Sequence, residues 1–338
     1  MRTRPPVRTE PRTRDLASPG SLTALLARGA LLSPFKRPGP DARPPATRLT
    51  LSGVRVDLAH LAAYERVCGF PTGRAALPVT YPHVLAFPLA MRIMTGRAFP
   101  LPLLGLVHTA IEITQHREPT TAAAYELAVL VEKLAPHRRG TEATVRTEAR
   151  VHGELVWESR STYLARHRPR DPVRRNTPRG APGELPPDIG EVASRAASRE
   201  ARPDSPRTAP PGLPWEARPS ASSEERRPLP ALREWHLAAD TGRRYGAVSG
   251  DRNPIHLHPL TARLFGFPHA IAHGMWTVAR CLAEYGPPES VGVRAEFRAP
   301  VALPGTATYA ARGASFELRT GDRVHVTGDV RPLPARTE

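Results

Sequence analysis

Between residues 168 and 229 the chain carries thirteen prolines, with arginine, serine and glutamate filling much of the rest. A stretch of that composition cannot bury enough apolar surface to offset the entropy of ordering it, so it reads as a disordered linker. No single compact domain can run through it. The 338 residues therefore divide into two blocks of ordinary domain size, 47–167 and 230–335. Ahead of them stands a tail, 1–46, in which arginine and proline alternate with serine and glycine. It reads as disordered, with at most one helical turn over Ser21 to Ala30.

The net charge of +16 comes almost wholly from arginine, since only Lys36 and Lys133 are lysines. Residues 1–45 hold nine basic against three acidic residues and 168–229 hold twelve against nine, so the two segments supply +9 of the +16. Their arginines are broken up by prolines and acids, with no aromatic interleaving on which bases could stack, and no nucleic-acid partner is expected. Cys68 and Cys281 are too few for a disulfide framework or a multi-cysteine metal site, which fits a reducing, cytoplasmic compartment. The N-terminus lacks the apolar core of a signal peptide. The most apolar region, Phe99 to Ile113, is interrupted by Pro100, Pro102, His108 and Glu112, so no membrane span is expected.

The two blocks repeat one pattern. The first has an alternating strand from Thr47, and Asp57 is placed to cap a helix over Leu58–Val67 that Gly69 closes. A mostly apolar helix follows over Tyr81–Met94, with Pro88 expected in its first turn. Strands are expected at 105–115, 123–133, 141–151 and 155–165. The second block offers a strand at Arg233–Leu237 and a helix through Tyr245–Ser249 capped by Asp240 or Thr241. A loop and a short helical turn at Thr261–Phe265 lead to a helix over Met275–Tyr285. Strands are then expected at 290–297, 305–312, 315–319 and 323–330. Strand, capped helix, loop, apolar helix and meander thus occur twice, with little residue identity. Each copy is an α+β layer, one sheet with a helix on its face.

Only the second copy holds a constellation suited to chemistry. Asp251 and His256 stand five residues apart in a segment that Gly250 and Asn253-Pro254 keep out of regular helix. A carboxylate and an imidazole on one water can move protons in opposite directions. The competing reading is an Asx-turn aspartate beside a surface histidine. His273-Gly274 then opens an apolar helix. The Gly274 N–H, at a helix N-terminus, can donate to a carbonyl oxygen as charge builds on it, and the missing Cβ lets substrate approach. Gly274 can equally be a packing glycine, and His273 is expected to be structural. Asp251, His256, His258 and His273 could ligate a metal, but their spacing matches no standard zinc or iron pattern, and none is expected. There is no Gly-rich phosphate loop and no Gly-x-Ser-x-Gly elbow.

The stretch Tyr-x-x-x-Ser-Gly-Asp-x-Asn-Pro-x-His at 245–256, with Phe265-Gly-Phe-Pro268 and Ile271-Ala-His-Gly-Met275, resembles the MaoC-like (R)-specific enoyl-thioester hydratase/dehydratase family over about residues 230–330. Leu77-Pro-Val-Thr-Tyr-Pro82, Phe87-Pro88 and Leu104-Gly-Leu-Val-His108 are similar to the N-terminal half of its double hot-dog members, in particular the actinobacterial (3R)-hydroxyacyl-thioester dehydratases. The resemblance implies a double hot-dog fold, two antiparallel sheets each wrapped round a central helix. It implies that Asp251 and His256 activate the water and that Gly274 binds the thioester carbonyl, with Gly250, Asn253, Pro254 and His273 supporting them. It makes the first half a non-catalytic unit that accommodates the acyl tail. Some single hot-dog members carry a serine nine residues after the His of His-Gly; Leu282 stands there, so that contact is not carried over. The linker is long for the family.

The implied activity is reversible loss of water from a (3R)-3-hydroxyacyl thioester, carried on CoA or on an acyl-carrier protein, to give the trans-2-enoyl thioester. No cofactor is implied, and a homodimer is left open. A hot-dog thioesterase and a non-catalytic acyl-thioester-binding subunit are the alternatives; release of free thiol, or binding without turnover, would distinguish them.

Overall fold

The structure is a computed structural model that describes residues 11–36, 42–167 and 228–334. The chain runs β1 (Arg12–Asp15), α1 (Leu22–Leu32), β2 (Thr47–Arg55), α2 (Leu58–Cys68), α3 (Tyr81–Met94), β3 (Leu106–Gln115), β4 (Ala124–His137), β5 (Gly140–Val151) and β6 (Glu154–Arg166). After the linker come β7 (Ala231–Leu237), α4 (Thr241–Ser249), α5 (Pro254–Leu257), α6 (Pro259–Arg263), β8 (Ala270–Ile271) and α7 (Gly274–Tyr285). The chain closes with β9 (Val291–Phe297), β10 (Ala302–Leu303), β11 (Gly305–Arg312), β12 (Ser315–Thr320) and β13 (Arg323–Pro332).

The duplication read from the sequence is a duplication of topology. The first half orders its strands β2-β4-β5-β6-β3 and the second β7-β11-β12-β13-β9, the same sequence of positions. The two sheets meet where β3 pairs antiparallel with β9, from Ala110 opposite Glu296 to Gln115 opposite Val291. They therefore form one continuous eleven-stranded sheet, completed by β1 on the outer edge of β2. Each half keeps its own helix against that sheet, α3 in the first and α7 in the second. This is the double hot-dog arrangement.

The central helices are buried for different reasons. α3 is apolar nearly all round, as a helix enclosed on every side must be. α7 is amphipathic and buries Met275, Trp276, Val278, Ala279, Cys281 and Leu282. The Trp276 ring donates from Nε1 to the Val67 carbonyl at 2.9 Å, fixing α7 to the end of α2 across the two halves. In the first half Trp157 Nε1 donates to the Val79 carbonyl at 2.8 Å and holds the approach to α3. Asp57 caps α2 as expected, accepting from the N–H groups of Ala59 and His60.

Two expectations need correction. The tail is not disordered over residues 11–36. β1 pairs parallel with β2, and α1 is a full helix of 11 residues. Leu22, Leu25 and Leu26 form one face of α1 at helical spacing and pack on the core. Arg28 Nη2 donates to Thr95 Oγ1 at 3.0 Å, and Lys36 Nζ to the Met94 carbonyl at 2.9 Å, so α1 is tied to the end of α3. The flanking prolines and arginines hid this short apolar face. Second, Pro82 rather than Pro88 occupies the first turn of α3; Pro88 lies inside it. Its missing N–H removes one helical bond, which the burial of the helix tolerates. The linker expectation at 168–229 falls outside the described residues except for 228 and 229, as do residues 1–10 and 37–41 of the tail.

Candidate active site

The Asp251 loop is shaped by backbone constraints on both sides. α4 ends at Gly250, whose φ of 77° lies in the left-handed region that favours glycine. A Cβ at this position would also collide with Leu22 of α1 and come 3.7 Å from Phe87 of α3. Asp251 Oδ1 then accepts from the Asn253 N–H at 3.1 Å, an Asx turn that fixes the carboxylate. Asn253 caps α5 with Pro254 behind it, and α5 delivers His256. The Asx turn of the competing reading is present and aims the carboxylate, but the histidine beside it is buried rather than on the surface.

His256 is buried, and its Nδ1 lies 2.8 Å from the Ile271 carbonyl. A carbonyl only accepts, so Nδ1 carries the proton and Nε2 presents its lone pair. Burial lowers the His256 pKa, against the opposing pull of Asp251 and the Ile271 carbonyl. His273 stacks on His256 with ring centroids 3.7 Å apart. Its Nε2 donates to the Asp251 carbonyl oxygen at 2.8 Å, and burial pushes its pKa down to about 3. One nitrogen or oxygen from each of Asp251, His256 and His273 lies within 4.8 Å of the others. His258 takes no part: it is exposed, and its Nδ1 accepts from the Leu260 N–H to cap α6.

Gly274 is the first residue of α7, beside His273, so its N–H is among those no helical carbonyl can reach. The positive end of the helix dipole lies here. A Cβ on Gly274 would stand 2.8–3.2 Å from atoms of the Phe297 ring, so the glycine is also demanded by packing.

The first half contributes side chains that the sequence reading did not assign to the site. His83 of α3 is 8 % exposed, and the Asp251 carboxylate acts on its ring. Burial nonetheless carries its pKa down to about 4. His108 of β3 stacks on Tyr163 at 4.5 Å, lies 6.4 Å from the His83 ring, and leans on Phe297 at 4.8 Å. Burial, with His83 adding to it, sends its pKa to about 3. Burial likewise raises Tyr163, with Asp251 adding to the shift. The available signal was a histidine four residues before Phe87 in an otherwise apolar helix.

Three comparisons bear on the family. Residues 220–329 match the model of the MaoC like domain. The chain is 34 % identical over 326 residues to 3-hydroxyacyl-thioester dehydratase X of Mycobacterium tuberculosis, covering 94 % of this chain and 100 % of that one. The crystal structure of HtdX from the same organism superposes with a TM-score of 0.63 at 30 % identity, over 85 % of this chain and 100 % of that one. A MaoC-like dehydratase from Phytophthora capsici shares the fold at 16 % identity, with a TM-score of 0.57 over 86 % of this chain and 96 % of its own. With two topologically equivalent halves, a carboxylate–imidazole pair in the second and a relative matched along its whole length, the chain belongs to the MaoC-like dehydratase family.

Proposed function

We propose that this protein interconverts a (3R)-3-hydroxyacyl thioester and the trans-2-enoyl thioester plus water, with Asp251 and His256 as the proton-transferring pair and Gly274 as the carbonyl-binding group. The observation that carries the reading is that His256, with Nδ1 committed to the Ile271 carbonyl, and Asp251 bring polar atoms within 4.8 Å of each other, with the N-terminus of α7 following directly on His273 of the same cluster. The relative's name, 3-hydroxyacyl-thioester dehydratase, supports the reaction class.

In the dehydration direction the thioester oxygen accepts from the Gly274 N–H. Charge drawn onto that oxygen acidifies C2, and the helix dipole favours it. His256 begins neutral because it is buried, so its Nε2 can receive the C2 proton. The departing 3-hydroxyl leaves as water with a proton from the pair. One proton arrives and one departs, so the pair's proton count is unchanged over the turnover. His273 holds the aspartate segment to the helix that binds the carbonyl. Substrate on CoA and substrate on a carrier protein are both compatible with the +16 net charge.

The test is spectrophotometric hydration of enoyl-CoA thioesters across chain lengths, with the product's configuration determined. The reading requires loss of the enoyl absorbance and formation of the (3R)-alcohol. Release of free thiol without hydration would make the protein a thioesterase instead.

A further inference from the structure

His83 and His108 come from the half that lacks the Asp/His pair, yet both lie in the wall of the candidate site. His83 is four residues before Phe87 and so shares its face of α3. Phe87 comes 3.7 Å from the Cβ position of Gly250, immediately before Asp251. From His83 the wall runs through the nearly parallel ring of His108, inclined by 13°, to Phe297, which covers Gly274. It therefore spans the distance from the carboxylate to the carbonyl-binding helix.

Two atoms in this wall are unexplained by packing. His83 Nδ1 and His108 Nε2 are buried and have no hydrogen-bond partner among the described residues. The other side of the His108 ring is engaged by the Ala110 main chain. A buried polar atom without a partner is a cost to the fold unless something arrives to pair with it. Both rings stay neutral at ordinary pH, so they are poor proton donors and each can offer a lone pair.

We propose that His83 is a substrate-binding residue of this site, pairing through its free ring nitrogen with the oxygen substituent at C3 of the hydroxyacyl thioester, or with the water that replaces it. This rests on the dehydratase reading above. When the 3-hydroxyl donates its hydrogen to His83, an oxygen lone pair is left to face the Asp251–His256 pair, which must protonate it. His108, fixed by Ala110, stacked on Tyr163 and tilted against Phe297, sets the plane against which His83 lies. The second half thus supplies the proton transfer, and the first half supplies a contact to the group that leaves.

The test compares His83→Leu, which removes the ring nitrogens, with His83→Asn, which keeps a polar atom near the Nδ1 position. Affinities for (3R)-3-hydroxybutyryl-CoA and for butyryl-CoA are measured in an Asp251→Asn background that blocks turnover, and kcat is measured in the otherwise native enzyme. His83→Leu should weaken the hydroxylated ligand about tenfold and leave butyryl-CoA unchanged, the selectivity expected from one lost hydrogen bond. It should also lower kcat for dehydration by about tenfold to a hundredfold, with His83→Asn recovering most of both effects. Equal weakening of the two ligands, or identical behaviour of the Leu and Asn variants, would overturn the assignment while native hydratase activity stands. Absence of hydratase activity in the native enzyme would overturn both.

Discussion

The ring of His273 donates from Nε2 to the main-chain carbonyl of Asp251 at 2.8 Å, so the N-cap residue of α7, the helix proposed to bind the thioester carbonyl, also holds the loop that carries the carboxylate. Proton transfer depends on holding the two segments in register, since a misplacement of about 1 Å can cost about a hundredfold in rate. His273→Phe keeps a flat ring at the buried position beside His256, somewhat larger than the imidazole, but loses the bond. It should lower kcat by about tenfold to a hundredfold with little change in KM, measured by enoyl-CoA hydration. An unchanged kcat would show that the helix and loop hold their positions without it.

Leu22 and Gly250 form a second such relationship, between the N-terminal segment and the loop. Alanine at 250 would be strained by the φ of 77° and would also push on Leu22. The left-handed conformation alone costs roughly 1–2 kcal/mol for a non-glycine residue. Gly250→Ala should therefore reduce both stability and hydration rate, and adding Leu22→Ala should recover part of the loss. A double-mutant cycle with a coupling of about 0.5 kcal/mol or more is expected from urea unfolding. Strictly additive effects would mean that α1 does not bear on the loop.

The buried histidines make stability depend on pH with a defined sign. Burial holds His83 near 4 and His108 and His273 near 3, and it lowers His256. An unfolded chain takes up these protons below about 6.5, whereas the native protein does not. The stability these neutral rings carry is present above that pH and is lost as pH falls toward the native values. Each such group steepens the decline by about 1.4 kcal/mol per pH unit. Urea midpoints should fall from pH 7.5 to 5.0, and His108→Phe should flatten the decline. A variant with the same slope as the native protein would contradict the assignment of His108 as a neutral buried ring.

Much of this architecture was legible in sequence, for identifiable reasons. Asp57 before an apolar-periodic run and Gly69 after it fixed α2 through capping chemistry. Long alternating strands gave β3 to β6 within a few residues. The Gly250–His256 segment announced itself because each residue type there has a backbone consequence. Two features were hidden. α1 buries only a narrow leucine face inside a segment whose average composition is that of a disordered tail. The contribution of His83 depends on the way the halves join at β3 and β9, a contact between residues far apart in the chain that no local pattern encodes. The same join explains why the first half, without an Asp/His pair of its own, still borders the site.

The most direct test of the account is the rate of crotonyl-CoA hydration by Asp251→Asn and by His256→Ala. Both variants preserve the fold's main supports, since the helix caps and the α7 anchor lie elsewhere. The account predicts a fall of about two to four orders of magnitude in kcat for each, the range for losing a general acid–base group. Near-native hydration by both variants would contradict it.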